Sequence, residues 1–67
     1  MRVTLEAARV NAGLSQKDAA KMLNISPDSL RFYEKYQKHP KIDLAYKIAE
    51  LYKCTIGDII FLPDKSA

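Results

Sequence analysis

Apolar residues recur at three- and four-residue intervals along almost the whole chain, and no stretch keeps the strict alternation of a half-buried strand. The pattern predicts an all-α domain of five short helices over residues 1–62, with 63–67 as a short C-terminal tail. Helix 1 should begin near Thr4, with Leu5, Ala8 and Ala12 on one face and Gly13 as the left-handed residue after its last turn. Helix 2 should begin at Ser15, with Asp18 three residues on in a weak capping box and Ala19, Met22 and Leu23 inward. Asn24 tolerates positive φ better than any residue but glycine, so a tight bend there is cheap. Helix 3 opens with Ser26 as cap and Pro27 at the first helical position, and turns Leu30 and Tyr33 inward. Pro40 marks a loop. Helix 4 should run from about Ile42 to Tyr52 with Ile42, Ala45, Ile48, Ala49 and Tyr52 inward. Helix 5 opens with Thr55 and Asp58, uses Ile56, Ile59 and Ile60 as its apolar side, and stops at Pro63.

Only Asn24 and Ile25 separate the end of helix 2 from the cap of helix 3. Two helices joined so tightly cross at a steep angle, which defines a helix-turn-helix unit. Helix 3 is then held by one face. Its other face carries Pro27, Asp28, Arg31, Phe32 and Lys35 and is free to enter a groove.

The charge distribution adds to this picture. The net charge is +3, but residues 16–41 alone carry +3, residues 1–15 carry +1 and residues 42–67 carry −1. A basic middle suits a polyanion-binding face, although a solvated helical surface gives the same count. One cysteine (Cys54) and one histidine (His39) exclude an intrachain disulfide and a Cys/His zinc set, so no metal site or cofactor is expected. The start of the chain does not have the apolar run of a secretory signal, and no stretch approaches the ~20 apolar residues of a membrane span. A soluble cytoplasmic protein without a membrane partner is expected. The chain shows no Ser/His/Asp set, cleft carboxylate pair or phosphate loop, so no enzyme activity is expected.

Together, "GLSQKDAAKMLNIS", "SLRFYE" and "HPKIDLAYKIAELYKCTIGDII" resemble the Cro/repressor-type (XRE-like) helix-turn-helix family over roughly residues 3–61. The family implies a lambda-repressor-like fold. "ISPDSLRFYEK" is also close to the recognition helix of MerR-like activators. The flanks favour the first family: about 14 residues of helix 1 precede "SQKD", and no hairpin signal follows Pro40. The chain departs from the family pattern in three places. Lys35-Tyr36 stands where Asn-Gly usually ends the recognition helix, which predicts that helix 3 runs on for a residue or two. Lys53 replaces the glycine after helix 4, and Lys41 replaces its Ser/Thr cap.

The resemblance implies roles residue by residue. Pro27, Asp28, Ser29, Arg31 and Phe32 fall on or beside base-facing positions. Asp28 suits a cytosine amine or serves the helix dipole. Arg31 suits a guanine edge or a phosphate, and Phe32 suits a thymine methyl or packs against Tyr36. Gln16, at the start of helix 2, holds a phosphate in the family. Lys17, Lys35, Gln37, Lys38 and Lys41, with His39, would grip further phosphates. Lys21 fits a solvated face better. Arg9 and Glu34 would form an ion pair that pins the recognition helix. Ile60, Phe61 and Leu62 either cover the small core or form a homodimer interface. The implied function is a sequence-specific, double-stranded-DNA-binding transcriptional regulator, more a repressor than an activator. The alternative is an antitoxin-like or accessory protein-interaction module with secondary DNA binding and an unidentified protein partner.

Overall fold

The computed structural model describes residues 2–62; the tail at 63–67 and the stop at Pro63 lie outside the described residues. The elements run β1 (Val3–Thr4), α1 (Leu5–Asn11), α2 (Gln16–Leu23), α3 (Pro27–Glu34), α4 (Ile42–Leu51), a 3-10 turn (Ile56–Asp58) and β2 (Ile59–Ile60). Helices dominate, as the apolar spacing requires. The fifth helix is the correction. Its residues make one 3-10 turn, tied by Thr55 N–H and Thr55 hydroxyl donating to Asp58 Oδ2 at 3.3 and 2.8 Å. The chain then extends, and β2 pairs in parallel with β1, Val3 opposite Ile59 and Thr4 opposite Ile60. The cause is local: helix nucleation is costly, Gly57 weakens it further, and the β-branched pair Ile59–Ile60 favours extended backbone. A two-residue strand is too short to show alternation in a sequence.

The caps form where the side chains allow. Thr4 accepts from Ala7 N at 3.1 Å, Ser15 from Asp18 N at 3.0 Å and Ser26 from Ser29 N at 3.1 Å. Lys41 makes no side-chain cap at α4. The four α-helices of the described residues end in the same way. Gly13, Asn24, Tyr36 and Lys53 take φ of +77, +60, +60 and +58°. At each, the backbone N–H of that residue and of the next fold back onto the last turn, as in Tyr36 N to Tyr33 O (3.1 Å) and Gln37 N to Phe32 O (2.9 Å). This is the Schellman ending, which normally recruits glycine. Helix 3 therefore does not run on. It stops at Glu34, and Tyr36 accepts the left-handed conformation. Its phenol has a compensating role: the hydroxyl donates to Ile60 O at 2.6 Å and accepts from Leu5 N at 3.3 Å.

The core is Leu5, Ala8, Ala19, Ala20, Leu23, Leu30, Ala45, Ile48, Ala49, Tyr52 and Ile59. Its alanines let the helix backbones approach closely, while Leu5, Leu30 and Ile48 fill the centre. Tyr33 and Ala12 are only half-buried at its margin. Two expected core residues point outward instead. Met22 is 62% exposed because it lies roughly 100° around α2 from Leu23, off the Ala19–Ala20–Leu23 stripe. Ile42 is 65% exposed: it sits at the edge of the α4 stripe, in the first turn, and opens onto a surface groove.

Candidate nucleic-acid interface

α3 lies across α2 and α1, with Leu30 fully buried beneath it. Burying one face in this way leaves Pro27, Asp28, Arg31 and Lys35 exposed on the other. Ser29 and Phe32 are half-buried. The Ser29 hydroxyl oxygen accepts from Ser26 Oγ at 3.0 Å, so Ser29 belongs partly to the helix cap. Arg31 Nη2 meets Asp28 Oδ1 at 3.3 Å, one turn apart on an exposed surface. The same guanidinium lies 5.5 Å from the centre of the Phe32 ring, and Lys38 Nζ approaches that ring to 5.8 Å. Phe32 is thus flanked by two cations, each attracted to the negative face of the ring.

The far end of α3 is fixed by a buried polar cluster. The Glu34 carboxylate, 4% exposed, receives Arg9 Nε at 2.7 Å on Oε2. Its Oε1 receives Arg9 Nη2 at 3.4 Å and Gln16 Nε2 at 2.9 Å. Arg9 Nη1 donates to Leu14 O at 2.8 Å, and Arg9 Nη2 lies 3.9 Å from the exposed Glu6 carboxylate. One carboxylate therefore joins α1, the start of α2 and the end of α3. The hydrogen bond to Glu34 raises the Arg9 pKa further, so the guanidinium stays charged. Tyr52 lies close enough to feel both charges. Burial, and secondarily the Glu34 charge, push its phenol up to about 12, against a smaller opposing effect of Arg9. Its hydroxyl has no hydrogen-bond partner among the described residues.

The structure brings Arg9, Gln16 and Glu34 together, and groups Arg31, Phe32 and Lys38 at the exposed face of α3. Gln16 is half-buried and spends one amide hydrogen on Glu34, leaving the second free. Lys17, Lys35, Gln37, Lys38, His39 and Lys41 are all exposed. Ile60 and Phe61 are half-buried and Leu62 is 61% exposed. Phe61 and Leu62 border a groove of about 390 Å³ with Pro40, Ile42, Ala45 and Ile56, which no α3 residue lines. Two contributions were missed in the sequence: Gln16 as a partner of Glu34, and the Tyr36 hydroxyl as a clamp. The only signal for the second was a tyrosine standing where the family has glycine.

A family model described as helix-turn-helix matches residues 5–59, and the chain belongs to that family, the XRE-type helix-turn-helix proteins. Among curated proteins, an uncharacterised HTH-type transcriptional regulator of Archaeoglobus fulgidus is 31% identical over 97% of this chain and 93% of its own length. An uncharacterised HTH-type transcriptional regulator of Methanocaldococcus jannaschii is 34% identical over 96% of this chain and 97% of its own. The HTH-type transcriptional regulator ImmR of Bacillus subtilis is 42% identical over 72% of this chain, which spans 38% of ImmR. No solved structure matches the chain.

Proposed function

We propose that this protein is a sequence-specific double-stranded-DNA-binding transcriptional regulator, acting as a repressor, with α3 in the major groove. The observation that carries the reading is the mounting of α3: Leu30 beneath it, Glu34 locked by Arg9 and Gln16, and an outer face left to solvent. Such a helix presents Pro27, Asp28, Ser29, Arg31 and Phe32 to base edges. Arg31 reads a guanine edge, with Asp28 holding the guanidinium until DNA competes for it. Phe32 meets a thymine methyl. The polar readers are few, so DNA shape carries a large share of the selectivity. The free amide hydrogen of Gln16, with Lys17, Lys35, Gln37, Lys38 and Lys41, grips the backbone and sets register. The groove beside Phe61 and Leu62 supports a homodimer on a two-fold operator.

The test is selection of bound sites from random duplexes by the parent, Phe32→Ala and Asp28→Ala, with the salt dependence of binding. Each variant should lose preference at its own base position. A parent that selects no site and binds duplex without salt dependence would overturn the reading. Sedimentation on DNA should show two copies per site, and a strict monomer there would remove the dimer. The same groove also supports a second reading, an antitoxin-like or accessory module that docks a partner protein. Selection without a consensus, with a stoichiometric partner on purification, would favour it.

A further inference from the structure

Between the exit loop of α3 and the first two turns of α4 lies a solvent-open cavity, a surface hollow of about 410 Å³ beside the base-facing side of α3. Tyr33 and Leu44, both half-buried, give it an aromatic and an aliphatic wall. Lys38, Lys41 and Lys47 line it with three ammonium groups, and among the described residues Asp43 is its one carboxylate. None of these lysines is ion-paired among the described residues, even though Asp43 and Lys47 stand one helical turn apart. The first turn of α4 adds N–H groups that no side chain caps.

We propose that this cavity binds the phosphoryl group of a small phosphorylated molecule of the nucleotide class, and that its occupation competes with DNA. Three features support this. The hollow is open to solvent, and its volume accommodates a phosphoryl group with a ring seated against its wall. The lysines and Asp43 of the lining carry three positive charges and one negative, net +2. That matches a phosphate monoester of about −1.5 to −2 better than the single charge of a DNA diester. The Tyr33 wall offers a face for a planar ring, and Asp43 offers an acceptor to a ribose hydroxyl or base N–H. The competition follows from Lys38, which lines the cavity and also lies over the Phe32 ring at the interface. An anion in the cavity holds Lys38 and Lys41 away from the duplex. The competition rests on the DNA-binding reading; the cavity's ligand does not.

The experiment titrates the full chain with adenosine 5′-monophosphate, following backbone amide NMR shifts, with adenosine as the phosphate-free control. Saturable shifts at Leu44, Lys47 and Tyr33, absent with adenosine, are expected. Lys47→Ala, shown folded by its spectrum, should weaken them by about tenfold, the loss of one charge-assisted hydrogen bond. Added monophosphate should weaken duplex binding at constant ionic strength. A second arm compares the salt dependence of duplex binding in the parent and Lys47→Ala. If the monophosphate gives no saturable shift while Lys47→Ala lowers the salt slope by about 0.9, the phosphoryl group is the duplex's own and the small-molecule occupant is overturned. If neither changes, the cavity is not a phosphoryl site. A parent that binds no duplex overturns the DNA-binding reading, and the shift titration still decides the cavity.

Discussion

Glu34 is worth most at the scale of single residues, because a nearly buried carboxylate is tolerable only while its donors are present. Arg9→Ala leaves that charge with Gln16 alone, and should cost about 3–5 kcal/mol. Thermal unfolding should show the loss, and an unchanged midpoint would remove the ion pair from its structural role. Tyr52 gives the opposite case. Its phenol ionises near 10 when unfolded, and burial pushes it up to about 12 in the fold. A raised acid pKa means that the folded state holds the proton longer. Its contribution is complete below about pH 10 and is lost as pH rises towards 12. Tyr52→Phe should lose less stability over that window than the parent, the gap changing by at most ~1.4 kcal/mol per pH unit. Parallel urea unfolding curves for the two proteins would show it; coincident pH profiles would contradict it. Below that window the variant should cost little, since the hydroxyl makes no hydrogen bond among the described residues. Of these residues, the Arg9–Glu34 pair was legible through the family resemblance. Gln16 and Tyr36 were not, because their partners lie 18 and as many as 31 residues away and meet only once the helices dock.

Helix starts and stops follow separate rules in this chain. The starts were readable: Thr4, Ser15 and Ser26 all cap as their side chains dictate. The stops were readable at Gly13 and Asn24, whose residues suit positive φ, and obscured at Tyr36 and Lys53, whose residues do not. There the tertiary fold overrides local preference. Tyr36 offsets the strain with two hydrogen bonds. Exposed Lys53 has no hydrogen bond or ion pair from its side chain among the described residues. Lys53→Gly should therefore stabilise the protein by about 0.5–1 kcal/mol, the left-handed penalty less the extra freedom glycine gains when unfolded. For a domain of this size, that is a rise of a few degrees in Tm, about 4 °C or more at the upper end. A fall in Tm would mean that the lysine makes a contact of its own. The fifth helix failed for the complementary reason. Three residues cannot support a helix nucleus, and an isoleucine pair preferred a partner strand that no local pattern reveals.

At the scale of the molecule, β1 and β2 close the domain by joining residues 3–4 to 59–60. Tyr36 sits over that closure, tying the exit of α3 to both α1 and β2. This makes the Leu5 amide a reporter on the mounting of α3. Its proton rests on the phenol of Tyr36, so it exchanges with solvent deuterium only when the α3 exit loop lifts away. Tyr36→Phe should accelerate exchange at Leu5 while leaving Ile48, deep in the core, at the rate set by global unfolding. An operator duplex that clamps α3 should slow Leu5 in the parent and have less effect in the variant. The first residue of the first helix thus keeps time for the outer face of α3, far along the chain.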